Sequence, residues 1–262
     1  MSNEYSQDYK KDILRLALFI GELMLSNGAE TYRVEDSIIR ICKSRGFKHI
    51  NVFITPTVII ISDERFDGLT FMKTIKDRSI NLNKVSLLNN FSREFVSNTD
   101  MTIPEAIKEL KGIASLKPYP KWLNFLGTGL ASGSFACLIG GTTLTDFVLT
   151  IIIAVFAIVI FDYIKKVSLI PTFATLVSSV FIGTFGVLLT EFGVLVTPKM
   201  LIVGSIMPLL PGMAFIKSIR DLISGDLLSG IARMFDAGLT AVSIACGVGF
   251  VLDLWFGLGG VL

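Results

Sequence analysis

The sequence predicts a membrane protein in which a small α+β domain precedes an all-α bundle of about five transmembrane helices. Two observations predict this class. Hydrophobic residues make up 52% of the 262 residues and charged residues only 18%, whereas soluble domains carry about a quarter charged residues. The charges are also unevenly placed, because 33 of the 46 lie in the first 121 residues. We therefore predict a cytoplasmic α+β domain over 1–121 and a transmembrane helical domain over 122–262.

Two amphipathic helices are predicted at the start of the chain. Apolar residues recur at helical spacing between positions 14 and 25, and Asn27-Gly28 supplies a stop signal. Thr31 is predicted to cap a second helix, which Gly46 ends. The apolar stripe of this second helix consists of Val34, Ile38, Ile41 and Cys42.

Three strands and two further helices are predicted next. Runs rich in β-branched residues predict strands over 50–54 and 57–62, and a third strand follows the Asp67-Gly68 turn signal. A helix that carries Val85, Leu88, Phe91 and Phe95 follows. The last helix of this region opens with a capping box from Thr102 to Glu105. The predicted element order is ααβββαα.

The composition argues against several functional classes. The net charge of +2 is too small to indicate a nucleic-acid binder. The cysteines Cys42, Cys137 and Cys246 are far apart and form no metal-ligand pair, so we expect reduced packing residues. His49 is the only histidine, and no nucleophile motif or phosphate-binding loop is present. We predict no enzyme, no metal site and no cofactor.

Five apolar segments follow the soluble region, and Trp122 is a natural interfacial anchor before them. The clearest lies between residues 147 and 161, where Thr150 is the only polar residue. Its apolar residues favour membrane insertion by several kcal/mol, at about 0.3 to 0.6 kcal/mol each. The five spans are predicted at 122–140, 146–164, 170–190, 198–216 and 233–254.

The basic residues of the second half predict the orientation. Two loops of the second half lie on the same side of the membrane as the N-terminal region, and they hold most of its basic residues. Lys199 lies on the opposite side. Cytoplasmic loops carry an excess of Lys and Arg, so the N-terminus is predicted in the cytoplasm and the C-terminus outside. The basic residues of the two loops are Lys165, Lys166, Lys217, Arg220 and Arg233.

The first span is rich in small residues and admits two interpretations. Gly129 and Gly133 stand at GxxxG spacing, which lets helices approach closely, so the simpler interpretation is packing alone. The alternative is that Thr128, Ser132 and Ser134 line a polar pathway through the bundle.

The fourth span contains Pro208 and Pro211-Gly212, which predict a broken helix. Prolines remove helical donors and free carbonyl groups, which transporters use to contact substrates or ions. Kinks also occur for packing alone, so both interpretations stay open.

The polar stretch 217–236 precedes the fifth span. Asp226, Ser229, Arg233 and Asp236 recur at helical spacing, and Arg220-Asp221 follows the broken helix. One interpretation is a solvated turn in which Asp226 caps a helix and Arg233 pairs with Asp226 or Asp236. The other is a cytoplasmic gate whose arginines contact anionic substrate groups.

These residues occur in patterns that resemble the threonine/serine exporter (ThrE-type) family over nearly the whole chain. The first pattern covers residues 21–35, GELMLSNGAETYRVE, and Pro56-Thr57 follows it before the second strand. The second pattern begins at Leu210-Pro211-Gly212 and continues through Arg220-Asp221 and Gly225-Asp226 to Arg233.

The resemblance implies a secondary exporter of small hydrophilic metabolites, driven by the proton motive force. It implies threonine and serine as substrates, or dicarboxylates such as succinate in a two-component branch. The chain resembles only the N-terminal half of fused family members, so a separate small membrane protein resembling the C-terminal half is the expected partner.

Two other functional classes compete with export. The chain could be a membrane-anchored metabolite sensor or regulatory module, although five spans exceed what an anchor needs. A membrane hydrolase is disfavoured because no nucleophile and base are visible. The family-like residues Glu30, Thr31, Arg33 and Glu35 are either the charged first turn of a capped helix or part of the inner mouth of a pathway.

Overall fold

The computed structural model describes residues 7–64, 69–76, 78–140, 143–195 and 198–259. The chain forms two compact units. The sheet unit comprises Met1–Pro118 and Ile216–Met234, and the bundle unit comprises Tyr119–Phe215 and Phe235–Leu262. The segment 216–234, which carries most of the predicted polar stretch, therefore belongs to the same unit as the three-stranded sheet.

The elements of the N-terminal region occur in the predicted order. Their bounds are α1 Gln7–Ser26, α2 Thr31–Ser44, β1 Ile50–Thr55, β2 Val58–Asp63, β3 Thr70–Thr74, α3 Leu82–Ser97 and α4 Ile103–Ser115. Gly28 and Gly46 follow α1 and α2 with φ of +88°, a conformation that favours glycine and ends each helix. The capping box of α4 is present, because the Thr102 N–H donates to Glu105 Oε2 over 3.0 Å.

The three strands form an antiparallel sheet in the order β1-β2-β3. In the register Ile54 faces Ile59 and Val52 faces Ile61, so alternate residues of β2 point to the helices. Ile59 and Ile61 are fully buried against the α1–α2 layer. Gly21 of α1 lets the helix approach, since a Cβ there would lie 2.7 Å from Ile38 Cδ1.

A buried arginine fixes the connection between α3 and α4. Arg45 is 7% exposed, and its guanidinium donates to the carbonyl groups of Thr99 at 2.6 Å and Asn98 at 3.1 Å. It also lies 4.3 Å from the ring centre of Phe95. Because these carbonyls accept its N–H groups, Arg45 holds the connection between α3 and α4 in place.

The residue that caps α2 differs from the one predicted. Thr31 does not cap α2: Glu30 occupies the N-cap position, and Thr31 is the first helical residue with its hydroxyl directed to another helix. The Thr31 hydroxyl, which the local sequence assigns to a helix cap, therefore donates to the distant carboxylate of Asp221. The predicted turn at Asp67-Gly68 lies outside the described residues.

The bundle unit is built from helices that match the predicted spans in order. Their bounds are α5 Lys121–Ile139, α6 Leu144–Ser168, α7 Pro171–Glu191, α8 Lys199–Ile206, α9 Gly212–Ile223 and α10 Leu227–Gly257. The last two helices contribute residues to both units. The fifth predicted span begins at 233, whereas α10 begins at Leu227.

Small residues bring the bundle helices into close contact. A Cβ added at Gly129 or Gly133 of α5 would lie 2.9 Å from side-chain atoms of Ile151 in α6. A Cβ at Gly204 of α8 would lie 2.8 Å from Ala136 Cβ. These approaches confirm close packing of the small-residue face in the first span.

The fourth predicted span is broken at its prolines. Helix α8 passes into a 3₁₀ turn over Met207–Leu209 that contains Pro208, and Leu210 is extended. Pro211 precedes α9, and the two helices are bent by 54° at the break. Proline lacks the N–H that would continue each helix, which explains the interruption.

Four of the described helices are long and apolar enough to cross a membrane: α5, α6, α7 and α10. The bent pair α8–α9 makes five if it counts as one span. The predicted number of about five is the upper of these two values.

A glycine pair in α10 tests the packing of the bundle. A Cβ at Gly247 would lie 2.8 Å from the Leu176 carbonyl oxygen of α7, whereas a Cβ at Gly249 would meet no atom within 4 Å. Ala normally stabilises a helix over Gly by about 1 kcal/mol. We expect Gly247→Ala to lower the Tm of the purified chain in detergent, and Gly249→Ala to leave it unchanged or raise it. Equal Tm values for the two variants would contradict the packing described.

Candidate functional site

Charged residues from two distant parts of the sequence meet in the sheet unit. The first turn of α2 supplies Glu30, Thr31 and Arg33, while α9 and the start of α10 supply the rest, about 190 residues later. We call this set the charge cluster. Its members are Glu30, Thr31, Arg33, Lys217, Arg220, Asp221 and Arg233.

Asp221 lies at the centre of the cluster. Its side chain is 0% exposed, and its Oδ2 accepts from the Thr31 hydroxyl over 3.3 Å. Arg233 Nε lies 2.9 Å from the same oxygen, close enough for an ion pair although its N–H is not aligned for a hydrogen bond. An Arg233 terminal nitrogen also donates to Thr31 Oγ1 over 3.4 Å. Three elements are thus joined at one buried carboxylate.

The second oxygen of Asp221 is unusual for a buried group. Asp221 Oδ1 has no hydrogen-bond partner among the described residues. A buried polar atom without a partner costs about 1 to 3 kcal/mol, and more when the group is charged. Most buried polar atoms in proteins are hydrogen-bonded, so this oxygen is an exception within the cluster.

Glu30 joins the cluster from the N-cap position of α2. One of its carboxylate oxygens pairs with Arg220 of α9, and the other lies 2.8 Å from Arg33 Nε. Both arginine side chains are 49% exposed, so solvent screens these pairs. The Glu30–Arg220 pair therefore contributes less to stability than the buried Asp221–Arg233 pair.

Lys217 is a member of the cluster that the sequence patterns do not predict as a site residue. It is 6% exposed, and its ammonium group donates to the Gly28 carbonyl oxygen in the turn before α2. Its spacing of four residues from Asp221 places both side chains on one face of α9, and this spacing is the signal that points to it.

Ser229, which the sequence places at helical spacing with Asp226 and Arg233, is a further contact of the same segment. It is buried, and its hydroxyl donates to the Ile54 carbonyl at the end of β1 over 3.3 Å. The start of α10 is thereby attached to the sheet as well as to α2.

Glu35 and Asp226 are half-buried carboxylates beside the cluster. Burial raises the pKa of Glu35, and the negative charges of Asp226 and Asp36 raise it further. Burial also raises the pKa of Asp226. Asp226 precedes α10 and its carbonyl accepts from the Gly230 N–H, so it occupies the cap position that the sequence predicts.

The partner of Arg233 differs from the expectation. The sequence pointed to Asp226 or Asp236, yet the ion pair that the structure gives Arg233 is with Asp221. Residues 221 and 233 lie on different helices that meet across the turn at Gly225, which has a φ of +90°. Helical spacing along a single helix does not reveal such a pair.

The remaining predicted site residues belong to the bundle unit. Ser132 is fully buried, whereas Ser134 lies on the exposed face of α5 two residues later. Pro208, Pro211 and Gly212 form the helix break, and Asp236 is exposed on α10. These residues are not members of the charge cluster.

The described residues hold no group of three or more His, Cys, Asp or Glu side chains that could bind a metal ion. The three cysteines are free thiols. Cys42 is buried in the core of the sheet unit, and burial raises its pKa to about 12, which keeps it protonated and unreactive.

The buried ion pair generates a stability prediction. Removing either Asp221 or Arg233 leaves the other group buried without its partner, which costs about 3 to 5 kcal/mol. We expect Asp221→Ala and Arg233→Ala each to lower the unfolding free energy of the full chain, and the double variant to lose less than the sum. The measurement is a double-mutant cycle by denaturant unfolding in detergent. Additive losses would show that the two residues do not interact.

The carboxylates beside the cluster generate a pH prediction. A raised native pKa stabilises the fold below the ordinary pKa of Glu35, and this contribution is lost as pH rises through the raised value. We expect the Tm of Glu35→Gln minus that of the original chain to increase from about pH 4 to about pH 7. Asp12→Asn, an exposed change on α1, is the control. A Tm difference that stays constant with pH would contradict the prediction.

Comparison with known proteins places these features in a family. The profile of the family described as "Putative threonine/serine exporter" matches residues 15–255. The "Probable succinate transporter subunit YjjP" of Escherichia coli (strain K12) is 24% identical, over 95% of this chain and 96% of its own length. No solved structure matches the chain significantly.

Longer relatives match this chain along about half of their own length. The "Threonine/serine exporter" of Corynebacterium glutamicum is 26% identical over 92% of this chain but only 51% of its own length. For the "Probable threonine/serine exporter" of Mycobacterium tuberculosis the identity is 26%, over 92% of this chain and 46% of the relative. Since the family profile covers most of its residues, the chain belongs to the threonine/serine exporter family.

Proposed function

We propose that this chain is one subunit of a secondary-active exporter of small hydrophilic metabolites, either threonine and serine or dicarboxylates such as succinate. The names of its relatives support both substrate classes. The observation that carries the proposal is the charge cluster on the segment between the broken helix and the last apolar helix. In this proposal the cluster is a cytoplasmic gate, and the proton motive force drives export.

The gate follows from what the cluster connects. Helix α9 begins directly after the break at Pro211, and α10 continues from Arg233 into the last candidate span. Side chains of both helices are held by the first turn of α2 through Glu30 and Thr31. Opening these ion pairs would release both helices from α2 at once, whereas a plain membrane anchor needs no such connection.

The orientation proposed is an N-terminus in the cytoplasm. The two lysines at the end of α6, Lys165 and Lys166, and the basic residues of α9 support it through the positive-inside rule. A cytoplasmic sheet unit would place the charge cluster where metabolites enter an export pathway.

A second membrane subunit is part of the proposal. This chain matches the length of a relative named as a subunit, but it spans about half of the two relatives named as exporters. We expect the partner to be a separate small membrane protein similar to the part of those exporters that this chain does not cover.

A membrane-anchored metabolite sensor is the second candidate function. A cleft of about 730 Å³ in the sheet unit favours it, since a regulatory ligand could bind there. It is lined in part by Tyr9, Asp12 and Arg45. A sensor would bind a metabolite in this cleft without changing efflux, and the transport assay separates the two functions.

The test is efflux of radiolabelled threonine, serine and succinate from preloaded cells. The cells express this chain with and without a membrane protein similar to the uncovered half of the Corynebacterium glutamicum exporter. We expect faster efflux of at least one solute when both proteins are present, and loss of that gain with a protonophore. Equal efflux of all three solutes in every strain would overturn the proposal.

A charge-reversal pair tests the gate itself. We expect Glu30→Arg and Arg220→Glu each to lower efflux by about tenfold, the equivalent of 1.4 kcal/mol, and the double variant to recover most of it. The matched control is the exposed pair Asp36–Arg40 of the same helix, whose atoms lie 2.8 Å apart. Its reversal should leave efflux unchanged. Absence of recovery, or an equal loss in the control pair, would contradict a gate at Glu30 and Arg220.

A further inference from the structure

Many of the hydroxyl groups in the bundle helices bond to their own helix. Thr150 donates to the Asp146 carbonyl over 2.7 Å, and Ser179 donates to the Thr175 carbonyl over 2.8 Å. Such bonds to the carbonyl four residues earlier are the usual way to satisfy a hydroxyl inside a membrane helix. The same pattern is formed by Thr175, Thr184, Thr190, Thr240 and Ser243.

Three buried serines of the bundle unit do not follow this pattern. Ser132 of α5, Ser178 of α7 and Ser205 of α8 are 0%, 0% and 1% exposed. Their hydroxyl oxygens have no hydrogen-bond partner among the described residues. They are therefore buried more deeply than several of the bonded hydroxyls, and yet they have no partner among the described residues.

This arrangement has an energetic cost that packing does not explain. A buried hydroxyl without a partner costs about 1 to 3 kcal/mol, whereas alanine at the same position would cost nothing. Within the described part of the bundle unit, the buried polar side chains are all serine or threonine, and none is charged. A polar solute inside this bundle would therefore be recognised by hydroxyl groups.

Ser132 and Ser205 come together at one helix contact. Gly204, the residue before Ser205, lies so close to α5 that a Cβ there would be 2.9 Å from the Ser132 carbonyl oxygen. Thr150 of α6 reaches the same point, since its Cγ2 would lie 2.8 Å from that Cβ. Helix α8 ends one residue after Ser205, where the 3₁₀ turn with Pro208 begins. Ser205 and the backbone of Ser132 thus lie beside the broken helix.

We propose that Ser132 and Ser205 bind the carboxylate of the exported metabolite. This inference rests on the proposed export function and names the chemical group that the pathway recognises. A free hydroxyl proton needs an acceptor, and a carboxylate offers two oxygens to two donors. An ammonium group has no acceptor atom, so both hydroxyl protons would stay without a hydrogen-bond partner. Threonine, serine and succinate all carry the carboxylate that this pair requires.

Gly204 lets α8 pack closely against α5 beside the two serines. The contact between α5 and α8 leaves both serine side chains inaccessible, so a solute reaches them only when the two helices separate. The break after Ser205 interrupts the hydrogen bonds of the helix and lets α8 move without unfolding its neighbours. The structure is then the occluded form of the pathway.

The test compares Ser132→Ala, Ser205→Ala and their double variant with Ser243→Ala. All four changes remove only hydroxyl groups, and the Ser243 hydroxyl is buried but bonded to the Leu239 carbonyl over 2.9 Å. Each full-length variant is expressed as in the efflux assay above, and efflux is measured against internal concentrations of threonine and succinate. We expect each single change to raise the apparent KM by about tenfold and the double change by more. Ser243→Ala should leave the KM unchanged.

The Tm of each purified variant separates binding from folding. A serine that binds substrate leaves the Tm unchanged or higher when it becomes alanine, because an unsatisfied buried hydroxyl is removed. A KM that stays constant in the double variant while the original chain exports would overturn the inference and leave the export function standing. A fall in Tm with a constant KM would also overturn it, since the serines would then be structural. Absence of export by the original chain would overturn the proposed function, and the inference with it.

Discussion

The buried contact between Asp221 and Arg233 is the interaction on which the described arrangement of the sheet unit depends. It draws α9 and the start of α10 to the first turn of α2, where Thr31 hydrogen-bonds to both charged groups. The contacts of Lys217 with Gly28 and of Ser229 with Ile54 attach the same segment to the sheet unit. A buried charge is costly unless it is paired, so the three side chains constrain one another.

Close helix contacts play the corresponding part in the bundle unit. Hydrophobic burial does not favour one helix contact over another in lipid, because the lipid tails are as apolar as the side chains. Specific contacts come instead from small residues such as Gly133 and Gly204, where a side chain would collide with the neighbouring helix. Gly204 precedes Ser205 and closely approaches Ser132, and both serines are buried. Packing and polar chemistry are therefore coupled at the contact of α5 with α8.

Much of this structure is encoded locally. The periodicity of the first helices, the β-branched runs, the capping box at Thr102 and the prolines of the fourth span each predicted an element that the structure contains. These signals succeed because they act over one or two turns of chain. The fifth span was predicted from residue 233, which lies within α10, and the helix itself begins at Leu227.

The sequence by itself determined the class of the protein, its apolar helices, the broken helix and the two groups of family-like residues. Only the tertiary structure decided that these two groups meet, that Thr31 serves Asp221 rather than a helix cap, and that Lys217 belongs with them. It also decided which serines lose their partners. The physical reason is that local periodicity reports the face of a residue on its own helix. The partner across about 190 residues depends on how the helices pack.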